Sequence, residues 1–254
     1  MQRLLFPLLL ATASLTAQDP QRPYLHGQLG LAAGRFSFDS DTSGFDDHKA
    51  AALVSLEVEG TSRKGIGGGL RFEGVGIDNG EDDDDGLFRD SSDPNDLGFD
   101  ANNATLFGHF TFRIQEHRFA MPFRIGLLFN GLILEDNNTG NQTTYASFGP
   151  CFEVEPEVTV VARGRFRMSL YGLLGVGACG TSIDVEGDPR DYDSTTAFVN
   201  VEAGVRARYA FGELGLAYIG RFQSMDRSDI ENGSFVVGYD ANFQGLLFTF
   251  GVVF

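Results

Sequence analysis

Tryptophan is absent from this 254-residue chain, cysteine occurs twice and methionine four times. Without tryptophan, any interfacial aromatic belt must be made of phenylalanine and tyrosine. Basic residues are scarce: Lys and Arg number 19 against 35 Asp and Glu, a formal net charge of −16. Such a chain repels a phosphate backbone, so nucleic acid is excluded as a partner. Beyond the first residues no stretch approaches 18 consecutive apolar positions, which excludes a membrane-spanning helix. The N-terminal stretch has no cysteine, so no lipid anchor is expected there.

What is abundant is Gly, at 33, and Phe, at 24. A chain rich in Phe and Gly and poor in Lys has the composition of a β protein. At its N-terminus Arg3 precedes the apolar stretch Leu4 to Ala11, interrupted only by Pro7, and small residues lead to Ala17. This is the pattern of a secretory signal over residues 1–17, cleaved before Gln18, and it leaves residues 18–254 as one domain.

Period-2 alternation between turn signals predicts ten strands, at 24–38, 49–59, 66–77, 103–115, 119–134, 144–161, 166–179, 196–209, 213–223 and 235–254. The connections alternate between short turns and long polar loops. An even number of strands then leaves both termini on the short-turn side. The faces separate cleanly as well. Ala52, Val54, Leu56 and Val58 oppose Ser55, Glu57 and Glu59; Ala104, Leu106, Phe110, Phe112 and Ile114 oppose Thr105, His109, Thr111 and Arg113. An uncharged face is what lipid requires, since a charge at mid-bilayer costs about 2–4 kcal/mol. Phe119, Phe166, Tyr209 and Phe254 fall near the short turns, where an aromatic girdle belongs. Pro150 and Pro156 lie inside the sixth strand, where proline cannot donate to the ladder, so a bulge or a break is expected there.

The chain ends on Leu246, Phe248, Phe250, Val252 and Phe254, an apolar residue at every second position. This ending resembles the C-terminal strand of bacterial outer-membrane β-barrels, and with the loop alternation the resemblance extends over nearly the whole mature chain. It implies an all-β fold, an antiparallel up-and-down transmembrane β-barrel of about ten strands, in the outer membrane of a Gram-negative-type bacterium. The partners it implies are outer-membrane lipid, lipopolysaccharide and the assembly machinery that reads the last strand, and the barrel is expected to be a monomer.

The inward positions carry charges of both signs. Acids are Glu57, Glu59, Glu73, Glu153, Glu155, Glu157, Glu202 and Glu213; bases are Arg71, Arg113, Arg124, Arg167, Arg206, Arg208 and Arg221. A self-satisfying Arg–Glu network in a narrow lumen is favoured over a selectivity lining, because a ten-strand barrel has little space left once its side chains are placed. No catalytic set is assigned. His48 beside Asp46 and Asp47 does not complete an omptin-protease pair. His109 and Thr111 are faintly similar to the His-x-Ser of lipid A deacylases, but face the lumen rather than lipid.

The long loops hold 24 of the 35 acids and three arginines, Arg89, Arg190 and Arg227. Dense carboxylates suit Ca²⁺ or Mg²⁺, so Asp39, Asp41, Ser43, Asp82 and Asp84 are weak cation candidates; Asp39-x-Asp41-x-Ser43-Gly44 resembles the start of a calcium loop whose twelfth position is Ala50 rather than Glu. No other cofactor is expected. Cys151 and Cys179 flank the turn at 163–165 on one face; a paired-position sum of 328 sets them diagonal, and a sum of 330 sets them opposite and bridgeable. The leading expectation for function is a non-enzymatic barrel, structural or adhesin-like through its acidic loops. A narrow channel for small solutes comes second and an outer-membrane enzyme third.

Overall fold

The computed structural model describes residues 24–40, 46–77, 99–116, 118–136, 141–229 and 233–254. The signal segment, Asp41, Ser43, Asp82 and Asp84 lie outside the described residues. Eleven strand segments follow one another: β1 (Tyr24–Ser40), β2 (Asp46–Thr61), β3 (Ile66–Ile77), β4 (Phe99–Glu116), β5 (Phe119–Asp136), β6 (Gln142–Val154), β7 (Glu157–Arg163), β8 (Phe166–Val185), β9 (Tyr192–Tyr209), β10 (Gly212–Met225) and β11 (Tyr239–Val253). Each strand pairs antiparallel with its neighbours, and β1 pairs with β11, so the sheet closes on itself. β6 and β7 are two halves of one stave, because both lie between β5 and β8. The fold is a closed ten-strand antiparallel barrel.

The stave breaks at Glu155 and Pro156. Pro156 has no amide proton for the ladder, but its carbonyl accepts from Gly172 N at 3.0 Å, which keeps β8 attached across the gap. Pro150 leaves the register intact: Phe148 opposes Gly180 and Cys151 opposes Gly177, the same sum on both sides of it. Below the break a bulge between Thr159 and Val161 shifts the pairing by one, so Arg163, not Ala162, faces Phe166.

Several strands run beyond their expected limits at the end away from the chain termini. β8 extends to Val185 and β9 starts at Tyr192, so residues expected in a loop belong to a hairpin projecting past the bilayer. β11 is the opposite case: it begins at Tyr239, four residues later than expected. The short turns are tight. Gly164 (φ 57°) and Ala210 (φ 54°) each occupy the first central position of a two-residue turn, the place where a type II′ hairpin needs a positive φ.

Side chains outside the barrel are apolar. Phe110 is 70% exposed, Leu70 59% and Phe250 53%, and the same alternation continues through Leu29, Val54, Phe72, Ile125, Leu174 and Leu216. A contiguous apolar exterior of this kind is not sustained in water. Tyr209, Phe211 and Phe119 point outward beside the short turns.

Candidate functional site

The lumen is built in two layers. In the half nearest the short turns, the inward positions of consecutive strands are arginine and glutamate. Arg71 on β3 donates to Glu153 on β6 through both terminal nitrogens, Nη1 to Oε2 at 3.0 Å, with β4 and β5 between them. Arg221 on β10 donates to Glu73 on β3 through Nε at 2.8 Å and Nη2 at 2.7 Å, with β11, β1 and β2 between. Arg124 on β5 reaches Glu59 on β2 at 2.7 Å and Glu155 at 2.8 Å. Arg71–Glu153, Arg221–Glu73 and Arg124–Glu59 each skip at least two strands and so cross the lumen, whereas Arg124–Glu155 joins neighbouring staves.

They also connect in series. Glu202 accepts from Arg221 at 2.5 Å, Arg221 holds Glu73, Arg71 lies 3.5 Å from Glu73 and grips Glu153. A second series runs from Glu57 and Glu59 through Arg124 to Glu155, then Arg206, with Arg208 and Glu213 at its end. The Arg206 guanidinium also stacks 3.7 Å from the Tyr171 ring centre. Charge-assisted, bidentate pairs are the strongest protein hydrogen bonds, and buried ones need this degree of satisfaction to be tolerated. Arg113 and Arg167 stand lower in the same face, half-buried; Arg167 lies opposite Arg208.

The other half of the lumen is apolar, a feature the reading of inward charges missed. Phe36, Leu53, Leu132, Ile183, Ile219 and Phe243 are all buried there; Phe38 stacks on Tyr239 at 5.2 Å between ring centres, and Tyr145 meets Tyr239 edge-to-face at 4.9 Å. A signal existed in the run 127–134, where both faces of the strand are apolar apart from Asn130 and Gly131. Between the layers lies an uncharged relay: Asn130 donates to Asn103 at 2.5 Å and to Thr105 at 2.9 Å, and Asn103 donates to Gln223 at 3.3 Å. The internal cavity bounded by Phe36, Glu73, Leu128, Phe198, Arg221 and Phe243 measures about 40 Å³, room for about three waters at ~10–15 Å³ each.

Cys151 and Cys179 are buried free thiols in a cluster with Phe107, Leu128 and Phe198. Cys151 opposes Gly177 and Cys179 opposes Thr196, the diagonal arrangement of the 328 register. At the outer rim Asp39 is exposed and stands opposite Asp240 and Asp46 in the ladder. Between β8 and β9, Arg190 holds Asp188 at 2.7 and 2.6 Å and also reaches Ser234, tying that connection to the residues before β11. The Arg190 hydrogen bonds hold the Asp188 carboxyl down to about 2.

A charged layer inside and an apolar face outside share one closed sheet. The chain is a closed antiparallel β-barrel. No protein-family model matches the chain, and no curated protein matches it. Among solved structures it is similar to the outer membrane protease OmpT from Escherichia coli, at 12% identity over 94% of this chain and 100% of that one, with a TM-score of 0.49. It is also similar to Ail, the attachment invasion locus protein of Yersinia pestis, at 12% identity, 92% and 99% coverage and a TM-score of 0.30. The toluene transporter TodX of P. putida matches at 6% identity, 95% and 92% coverage and a TM-score of 0.34.

Proposed function

We propose that this barrel is a closed, non-enzymatic scaffold that carries its acidic loops at the cell surface, for structural or adhesive use. The observation that supports this reading is the cross-lumen pairing of Arg71 with Glu153 and Arg221 with Glu73. Two such ties cross the lumen beside an apolar layer, next to a cavity of about 40 Å³. Hydrolysis through His109 and Thr111 is disfavoured because both are buried inside the lumen. The acids of the segments read as loops from the sequence, 24 of 35 in the chain, would face the outside, where divalent cations could join them to anionic lipopolysaccharide.

Planar-bilayer recording tests the proposal. A closed scaffold gives no steady conductance above the leak of the bare membrane. Regular unitary steps in neutral salt would replace it with the narrow-channel reading.

A further inference from the structure

A second kind of site sits inside the charged half of the lumen. One carboxylate oxygen each of Glu57 and Glu59 and a ring nitrogen of His109 lie within 4.8 Å of one another, all three residues buried. They come from β2 and β4, which are not neighbours: β3 runs between them. What lets them meet is Gly69, the β3 residue opposite both Glu59 and His109. A Cβ at Gly69 would stand 2.5 Å from Val58 O and 3.0 Å from His109 Cε1, so any side chain there would fill the space between the groups. On its other side His109 faces Gly126, again without a side chain.

We infer that Glu57, Glu59 and His109 form a binding site for a divalent transition-metal ion of the Zn²⁺ class. The imidazole is poised for it. His109 is only 7% exposed; its Nδ1 is engaged by Thr111 Oγ1 at 3.1 Å, and its Nε2 is buried with no hydrogen-bond partner. A buried unpaired polar nitrogen costs about 1–3 kcal/mol, so its retention calls for a partner. Holding one ring nitrogen on a hydroxyl to orient the other is how metal-ligating histidines are set. Of the three carboxylates around Arg124, Glu57 is held least firmly, 3.4 Å from Nη2, whereas Glu59 and Glu155 lie at 2.7 and 2.8 Å from the same guanidinium. Arg124 on one edge of a carboxylate leaves the other edge for an ion. One imidazole with two carboxylates selects a borderline metal over Ca²⁺ or Mg²⁺, which prefer oxygen alone. Metal–ligand bonds of about 2.0–2.2 Å require the three atoms, now within 4.8 Å of one another, to draw closer on binding.

The test uses the folded full-length barrel in detergent, without a histidine tag, dialysed against Zn²⁺ and analysed for bound metal. One tightly held Zn²⁺ per barrel is expected, apart from any ions held weakly by the acidic loops, with His109→Gln and Glu57→Gln each weakening binding at least about tenfold, no less than the loss of an outer-shell partner brings. Co²⁺ in place of Zn²⁺ should give a visible absorption band that His109→Gln removes. His48→Gln and His117→Gln should leave binding unchanged. Each variant is first shown to be folded by its heat-modifiable migration on a gel. Stoichiometry well below one, or undiminished binding by folded His109→Gln, overturns the assignment.

Discussion

Arg71 and Glu153 face each other across the lumen, both guanidinium ends engaged by both carboxylate oxygens, with side chains 5% and 0% exposed. The pair therefore acts as a strut between β3 and β6. Removing one member strands the other as a buried charge, a change that costs about 3–5 kcal/mol. Arg71→Ala should lower the urea midpoint for unfolding of the detergent-solubilised barrel, and Arg71→Met combined with Glu153→Met should recover most of the loss. Single variants that unfold with wild-type midpoints would show that the strut contributes nothing.

Gly126 and Gly131 share strand β5 but differ in what surrounds them. A Cβ at Gly126 would lie 1.9 Å from Gly108 O, backbone that cannot move aside, whereas one at Gly131 meets nothing within 4 Å. Gly126→Ala should reduce folded yield severely, and Gly131→Ala should leave it at wild-type level. Comparing the heat-modifiable fraction of the two variants after refolding checks this, and equal yields would contradict the close approach of β4 and β5.

The turn at Ala210 offers the reverse experiment. Its φ of 54° is the left-handed region, where an L-residue costs about 1–2 kcal/mol relative to glycine. The equivalent turn residue between β7 and β8 is already Gly164, at φ 57°. Ala210→Gly should raise stability by about 1 kcal/mol, less the extra chain entropy of glycine. A lower unfolding midpoint would mean that the turn carries no strain.

Much of this architecture can be read from alternation alone. Val54, Leu56 and Val58 point outward and Glu57 and Glu59 inward, as a period of two requires. The break in the sixth stave follows from Pro156, although Pro150, read the same way, disturbs nothing in the register. The apolar upper lumen was hidden because Leu128 and Leu132 lie among outward apolar neighbours, and period alone does not divide a strand apolar on both faces. The meeting of Glu57, Glu59 and His109 has no local mark either. It depends on the register of two successive pairings, which sets Gly69 of β3 opposite both Glu59 and His109.

The β1–β11 ladder that closes the barrel reaches as far as Phe254. Phe254 N donates to Leu25 O at 2.9 Å, and Leu25 N donates to Phe254 O at 3.0 Å, so the chain's final residue completes the β1–β11 ladder. Deleting Phe254 removes both bonds and the aromatic ending that resembles the assembly signal. Folded protein in the outer membrane should fall several-fold, while refolding of the same variant in detergent, where no machinery reads the ending, should fall much less. A single net backbone hydrogen bond contributes only about 0.5–1.5 kcal/mol, too little alone to abolish the barrel. Equal losses in cells and in detergent would place the effect in closure rather than in recognition.

The two thiols give the last measurement. Cys151 and Cys179 sit among Phe107, Leu128 and Phe198, opposite Gly177 and Thr196 respectively. A disulfide demands a Cβ–Cβ distance of about 3.5–4.5 Å, whereas diagonal positions across a ladder are typically about 7–8 Å apart. The register therefore holds the sulfurs apart even in an oxidising compartment, and burial keeps them from external reagents. Folded protein extracted from membranes without reductant should resist a maleimide, and after denaturation it should take up two equivalents per chain. Mass spectrometry reads the outcome directly: a chain two hydrogens lighter and unreactive after unfolding would mean that the staves slide by two residues to form the bridge.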